Sequence, residues 1–154
     1  MNDINKALAI ATLAHKGQVD KSGKDYINHP IAVSSKCNSL KAKIVGLLHD
    51  VVEDTDVTLE YLSNYFTSDI IEAISLVTKT YPLDINKYYK NIKNNPIAKE
   101  VKLADLSHNM DLSRLDNITE YDLKRNEKYK KYYDYLINDK QEELANDENG
   151  NQDW

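Results

Sequence analysis

An acidic segment embedded in apolar sequence constrains the fold of this chain more than any other feature. Residues 44–58 read IVGLLHDVVEDTDVT and place His49, Asp50, Glu53 and Asp54 among aliphatic side chains. On a helix, side chains three or four positions apart share one edge. Carboxylates gathered around an imidazole in a folded interior repel one another unless a cation or a water-filled cleft relieves the charge. The segment therefore predicts a buried helix with a cation-binding edge, and a solvated acidic helix end is the alternative.

Length and local composition predict one folded domain followed by a tail. The chain has 154 residues, enough to bury a core in a single domain. Its end, QEELANDENGNQDW, carries five acidic residues, no Lys or Arg, and few apolar side chains to offset the entropy of ordering. We predict a folded domain over residues 1–140 and a disordered acidic tail over residues 141–154.

Charge and hydropathy limit the classes of binding partner and the cellular compartment that we expect for this chain. The formal net charge is −5, and removing the five tail acids leaves residues 1–140 neutral, with no basic stripe that favours nucleic acid as a partner. No apolar run approaches the roughly 20 residues needed to span a bilayer. Cys37 is the lone cysteine, and no segment resembles a secretory signal. We therefore expect a cytoplasmic protein that binds neither nucleic acid nor membrane.

Helical periodicity runs through most of the chain, and glycine and proline are scarce, which predicts an all-α fold. The expected helices cover residues 3–16, 41–54, 58–66, 68–80, 84–94 and 96–110, with two more beginning at His29-Pro30 and at Thr119. Asp3, Thr58 and Ser68 are candidate N-caps, and the TEYD sequence at Thr119 resembles a capping box. In the last helix, the spacing of Tyr129, Tyr132, Tyr133 and Leu136 predicts a buried stripe that packs in the core rather than a ligand platform.

Two histidines and two aspartates form a candidate metal set. His29 precedes the proline that opens the second helix, His49 and Asp50 lie in the acidic segment, and Asp105 lies in the helix that begins at Pro96. A mixed nitrogen and oxygen set suits Mn, Fe, Co, Ni or Zn better than Ca or Mg. We expect His108 to orient this cluster by contacting one of the ligands rather than by binding the metal itself.

The motifs around these residues resemble a known family. The segments HKGQVDKSGKDYINHP, GLLHDVVEDTDVTL and VKLADLSHNM are similar, in order and spacing, to three motifs of the HD-domain hydrolases that degrade the alarmone (p)ppGpp. These hydrolases occur in RelA/SpoT-type proteins and as small stand-alone enzymes, and the likeness covers roughly residues 4–115. The resemblance implies an HD-domain helical bundle with the metal site between helices. It also implies hydrolysis of the 3′-pyrophosphate ester to GDP or GTP and pyrophosphate.

The resemblance also implies a role for individual residues. The metal ligands are expected to be His29, His49, Asp50 and Asp105, and the metal is typically Mn²⁺. The expected catalytic pair is Glu53 and Asp54, and the residues expected to border the nucleotide are Lys21, Ser22, Tyr26 and Asn109.

Three further positions leave alternatives open. Lys102 precedes Asp105 by three residues, so it is either a phosphate-neutralising residue on the same helix face or a solvent-facing lysine. Asp20 and Leu106 occupy positions where the family often has a basic residue. The expected partner is therefore a small-molecule nucleotide, either (p)ppGpp or another phosphorylated nucleotide. A non-catalytic nucleotide-sensing module is the second hypothesis.

Overall fold

Helices form the regular secondary structure of the computed structural model, which describes residues 2–138 and 144. In chain order they are α1 (Asp3–Ala14), α2 (Asn28–Lys36), α3 (Leu40–Leu48), α4 (Val51–Asp54), α5 (Leu59–Ser63), α6 (Ser68–Val77), α7 (Ile85–Lys93), α8 (Pro96–Met110) and α9 (Glu120–Ile137), with a short 3-10 turn over Leu112–Arg114. The prediction of an all-α fold is confirmed. The predicted tail over 141–154 lies outside the described residues except for Leu144, which is buried.

The central helix of the bundle is α3, which packs against α1, α2, α6 and α8. Its buried residues include Ala42, Ile44, Val45, Leu47 and Leu48. Residues 44–48 are apolar and buried on all sides, as a fully apolar helical segment must be to be stable, whereas Lys41 near the start of α3 is exposed. The prediction that the apolar half of the 44–58 segment is buried is therefore confirmed.

A close contact between α2 and α3 depends on Gly46. A Cβ atom at this position would lie 3.1 Å from both the backbone nitrogen and the Cα of Ser34 on α2. This approach brings the ring centroids of His29 and His49 to 5.2 Å from each other. The absence of a side chain at Gly46 thus permits the close packing of the two helices that carry these predicted metal ligands at or next to their ends.

The predicted continuous helix over residues 41–54 is wrong. The first helix, α3, ends at Leu48, and α4 is a separate turn that begins at Val51. Asp50 has φ −106° and ψ −2°, which opens the helix at the His-Asp doublet. The carboxylates of Asp50, Glu53 and Asp54 form a group of their own beside the histidines.

Two of the N-caps predicted from the sequence are confirmed, and two are wrong by one residue. Thr119 accepts a hydrogen bond from the backbone N–H of Asp122, and the Asp122 side chain accepts one from the N–H of Thr119, so the capping box is confirmed. Thr58 caps α5 as predicted. Two predicted caps are wrong, because Asn2 caps α1 in place of Asp3, and Ser68 is the first residue of α6 rather than its cap.

The stripe on α9 is buried as predicted at Tyr129, Tyr132 and Leu136, and Tyr133 is partly buried. None of the helices in the described ranges combines the length and the apolar character that a membrane crossing requires.

Candidate metal centre and substrate cavity

The four predicted metal ligands converge between three parts of the fold. His29 lies at the start of α2, His49 and Asp50 lie at the break between α3 and α4, and Asp105 lies on α8. His29 Nε2 is 2.8 Å from Asp105 Oδ1 and 3.8 Å from Asp50 Oδ2, and His49 Nε2 is 3.0 Å from Asp50 Oδ2. Ligand atoms of His29, His49 and Asp105 all lie within 4.8 Å of one another. Two imidazoles and two carboxylates therefore face a common point.

The ring of His49 has a buried nitrogen that faces this point. Its Nδ1 is 2.6 Å from the carbonyl oxygen of Gly46, which can only accept, so Nδ1 carries the hydrogen. Nε2 is fully buried, and its polar neighbours are the carboxylate oxygens of Asp50, at 3.0 Å, and Asp105, at 3.5 Å. Burial lowers the pKa of His49, but Asp50 and Asp105 outweigh it and raise the pKa well above its usual value. The site thus attracts positive charge at Nε2, which fits a divalent metal ion.

His29 has a second histidine behind it. His29 Nδ1 lies 2.7 Å from His108 Nδ1. Burial, and then the charge of His29, lower the pKa of His108 to about 4, so His108 is neutral at pH 7 and can accept a hydrogen bond from His29 Nδ1. This pairing leaves His29 Nε2 for the shared point. The backbone oxygen of His108 in turn accepts a hydrogen bond of 3.0 Å from Arg114 Nη2.

The two oxygens of Asp105 have different partners. Oδ1 faces His29 and accepts a hydrogen bond of 3.1 Å from Asn109 Nδ2, whereas Oδ2 is 3.1 Å from Lys102 Nζ. Burial alone would raise the pKa of Asp105, but Lys102 and the histidines hold it well below its usual range. Lys102 is itself 6% exposed, and its ammonium lies 5.4 Å from the ring centroid of Tyr88. The solvent-facing alternative for Lys102 is therefore excluded.

Tyr26 supports the fourth predicted ligand. Its hydroxyl donates a hydrogen bond of 2.5 Å to Asp50 Oδ2. Burial and the charge of Asp50 both raise the pKa of Tyr26, so the phenol keeps its proton. A tyrosine predicted to border the nucleotide thus also fixes the Asp50 carboxylate.

The predicted catalytic pair lies beside the metal set. Ligand atoms of Asp50, Glu53 and Asp54 lie within 4.8 Å of one another; Glu53 is partly buried and Asp54 is exposed. Glu53 Oε1 accepts a hydrogen bond of 2.7 Å from the backbone N–H of Lys79, two residues beyond the end of α6. The carboxylates are thus held at the edge of the site, where water and a substrate can reach them.

A cavity of about 470 Å³ opens onto this site. Every residue predicted for the site contributes to its wall: Lys21, Ser22, Tyr26, His29, His49, Asp50, Glu53, Asp54, Lys102, Asp105 and Asn109. The sequence did not predict the rest of the polar and aromatic wall, which comes from Lys79, Tyr88, Tyr89, Arg114, Arg125, Tyr129 and Tyr132. The stripe of α9 was predicted to pack in the core. Helical spacing indicates that its residues are buried, but it does not indicate that Tyr129 and Tyr132 also face a cavity.

The loop before α2 forms one rim of the cavity. Asp20 Oδ1 accepts hydrogen bonds from the backbone N–H groups of Ser22, at 2.8 Å, and Lys24, at 3.0 Å, so this carboxylate closes the turn. Gly23, with φ +78°, supplies the positive dihedral that the turn requires. Lys21 Nζ lies 4.8 Å from the ring centroid of Tyr121, which ties the rim to α9.

A helical bundle in which a His-Asp doublet meets a histidine and an aspartate from neighbouring helices defines an HD-type domain with a candidate divalent-metal site. No family model matches the chain. A guanosine-3′,5′-bis(diphosphate) 3′-pyrophosphohydrolase of Borreliella burgdorferi is 42% identical over 124 residues, which are 70% of this chain and 18% of that protein. The bifunctional (p)ppGpp synthase/hydrolase SpoT of Escherichia coli K12 is 31% identical over 122 residues, 70% of this chain and 17% of that protein. These similarities confirm the resemblance of the chain to the HD-domain (p)ppGpp hydrolase family.

A solved structure supports the same conclusion over most of the fold. It is described as a metazoan ortholog of SpoT that hydrolyzes ppGpp and plays a role in starvation responses. The TM-score is 0.73 at 27% identity, and the match covers 89% of this chain and 86% of that one. The predicted HD-domain bundle is therefore confirmed. The chain spans less than a fifth of the length of the two curated relatives described above.

Proposed function

We propose that this chain hydrolyses the 3′-pyrophosphate of (p)ppGpp in a metal-dependent reaction that gives GDP or GTP and pyrophosphate. The observation that carries the proposal is the buried Nε2 atom of His49, which faces carboxylates in the wall of a cavity. The names of the curated relatives and the description of the similar structure support the same substrate. The occupant of the cavity is thus a small-molecule nucleotide.

The proposed metal is Mn²⁺, held by His29, His49, Asp50 and Asp105. Two imidazole nitrogens and two carboxylate oxygens favour a transition metal over Ca²⁺ or Mg²⁺, which prefer oxygen ligands. When bound, such an ion lowers the pKa of water and polarises a phosphoryl oxygen.

The side chains around the ligands supply the rest of the proposed chemistry. Glu53 and Asp54 orient a water molecule whose oxygen bonds to the phosphorus attached to the 3′ oxygen. One of the two carboxylates takes a proton from this water, and the proton is passed to the 3′ oxygen as its bond to phosphorus breaks. A positioned acid or base contributes roughly 10²- to 10⁴-fold to the rate. Arg114 and Arg125 line the cavity and offset phosphate charge.

Substrate contacts are proposed for Lys21, Ser22, Tyr26, Lys102 and Asn109, which all line the cavity. Lys21 and Ser22 lie on the rim loop, where they can reach the nucleotide directly. Lys102 acts on phosphate charge through the field of its buried ammonium, because its Nζ is paired with Asp105. We also propose a cytoplasmic location, where the nucleotide is made and consumed.

Incubation of the purified chain with Mn²⁺ and a panel of nucleotides tests the proposal. The panel contains ppGpp, pppGpp, ppApp and other phosphorylated nucleotides, because two positions where the family often has a basic residue are not basic here. The Asp20 carboxylate accepts hydrogen bonds within its own turn, and the buried Leu106 adds an apolar surface to the cavity wall. We expect release of pyrophosphate from ppGpp or pppGpp, and none from the His49→Ala variant. A protein that binds Mn²⁺ and turns over none of the panel would contradict the proposal and favour a nucleotide-sensing module.

A further inference from the structure

The proposed catalytic pair lies on an element that cannot hold its own orientation. Helix α4 is one turn of four residues, separated from α3 by the opening at Asp50. A single helical turn is unstable by itself, because nucleation fixes several residues for one hydrogen bond. Like charges three or four residues apart weaken it further. Contacts from other elements must therefore set the direction in which Glu53 and Asp54 point.

Among the contacts that reach α4 are two hydrogen bonds from distant parts of the chain. The backbone N–H of Lys79 binds the side chain of Glu53, and Gln18 Nε2 donates a hydrogen bond of 3.1 Å to the backbone oxygen of Asp54. The first contact holds a side chain of the turn, whereas the second holds the backbone at its end. Gln18 lies in the loop after α1, 36 positions from Asp54.

The amide of Gln18 has only one orientation that satisfies its neighbours. The oxygen of Asp54 can only accept, so the NH₂ group of Gln18 faces it, and Oε1 faces His15 Nδ1 at 2.9 Å. His15 is 2% exposed and therefore offers a fixed donor. The backbone oxygen of Gln18 also accepts a hydrogen bond of 2.9 Å from the N–H of Tyr26. Gln18 is thus held by His15 and Tyr26 independently of its contact with α4.

The same network reaches the metal ligands. Tyr26, whose N–H binds Gln18, donates its hydroxyl to Asp50, and its ring packs on His15 with centroids 5.0 Å apart. A shift of Gln18 relative to Tyr26 would therefore change the distance between the end of α4 and Asp50. We infer that Gln18 is a positioning residue, which sets Asp54 relative to the metal ligand Asp50. The catalytic consequence depends on the proposed hydrolase function, whereas the structural consequence does not.

Two substitutions in the full chain test this inference. Gln18→Glu keeps an oxygen for His15 and loses the donor to Asp54, and Gln18→Met removes both contacts without adding charge. We expect both variants to lower kcat by about 10- to 100-fold, since a displacement of about 1 Å can have an effect of this size. KM and the affinity for Mn²⁺ should stay within about twofold of the wild type. Hydrogen exchange at the amides of Asp54 and Thr55, which close α4, should become faster in both variants.

A matched control separates positioning from general destabilisation. Thr12 on α1 donates a hydrogen bond of 2.7 Å to the oxygen of Leu8, away from the cavity. Thr12→Val should leave kcat and exchange in α4 unchanged. Wild-type kcat and exchange in both Gln18 variants would overturn the inference, as would a loss of Mn²⁺ binding that accounts for the lower rate. If the wild type hydrolyses nothing, the proposed function fails, and exchange in α4 still decides the role of Gln18.

Discussion

At the scale of single residues, each proposed metal ligand has a partner that fixes its orientation. The carbonyl oxygen of Gly46 holds His49, and His108 faces His29. The hydroxyl of Tyr26 binds Asp50, and Lys102 binds the outer oxygen of Asp105. Such partners set the tautomer and direction of a ligand, so the site is organised before any ion enters.

His108 provides a test of this support at one position. His108→Ala removes the group that faces His29 Nδ1, and we expect the affinity for Mn²⁺ to fall about 10- to 100-fold, the usual effect of losing such a partner. His108→Asn places an amide oxygen near the former Nδ1 and should recover most of the affinity. Metal titration of both variants measures the effect, and equal losses in both would show that packing rather than hydrogen bonding is responsible.

Substitutions in the acidic pair and in the set of proposed metal ligands should have different effects on metal binding and on activity. Glu53→Gln and Asp54→Asn remove a charge with little change of shape, so we expect each to bind Mn²⁺ like the wild type while kcat falls roughly 10²- to 10⁴-fold. His49→Ala should lose the metal itself. Metal content and turnover are measured on the same samples. If Glu53→Gln emptied the site as thoroughly as His49→Ala, the division between ligands and catalytic acids would be wrong.

At the scale of helices, the sequence predicts those helix ends that are determined by residues close together in the chain. The capping box at Thr119 and the proline start of α8 are local patterns, and both are present. The opening at Asp50 is not local, because the Asp50 carboxylate is held by Tyr26 from a loop 24 positions earlier. Helical periodicity continues across this point in the sequence, so the separate turn of α4 could not be predicted from it.

The contact between α2 and α3 can be tested by whether Gly46→Ala raises or lowers the free energy of unfolding. On helix propensity alone, Gly46→Ala should stabilise the protein by about 1 kcal/mol. The new Cβ would instead lie 3.1 Å from the backbone of Ser34 and force α2 away from α3. We expect a net loss of about 1–3 kcal/mol in the free energy of unfolding, as for an overpacked core, together with weaker Mn²⁺ binding because His29 moves from His49. Denaturant unfolding and metal titration measure both, and a stabilised variant would contradict the close contact.

At the scale of the whole molecule, the cavity joins parts of the chain that no motif connects. The three motifs supply its metal-binding side, whereas Tyr88 and Tyr89 come from α7 and Tyr129 and Tyr132 from α9. The rings of Tyr89 and Tyr132 stack with centroids 4.4 Å apart. Helical spacing predicts that such residues are buried, but it cannot distinguish a core from a cavity wall, because that depends on which helices pack together.

The proposed metal site spans the bundle, so metal binding should stabilise the whole fold. Its proposed ligands come from α2, from the break after α3, and from α8, and unfolding separates them. At a free Mn²⁺ concentration 100 times the Kd, binding to the native state alone contributes about 2.7 kcal/mol. For a domain of this size that corresponds to a rise in Tm of roughly 5–11 °C. Thermal unfolding with Mn²⁺ and with EDTA measures the shift.

Two variants control that measurement. His49→Ala should show no difference between Mn²⁺ and EDTA, because it lacks the buried Nε2. Glu53→Gln keeps the four ligands and should show the full shift. Asp50 and Asp105 raise the pKa of His49 well above its usual value, so protons compete with the metal ion for Nε2 and the gain should shrink as the pH falls. A wild-type Tm that is the same in Mn²⁺ and EDTA would show that these four side chains do not hold a metal ion in the folded protein.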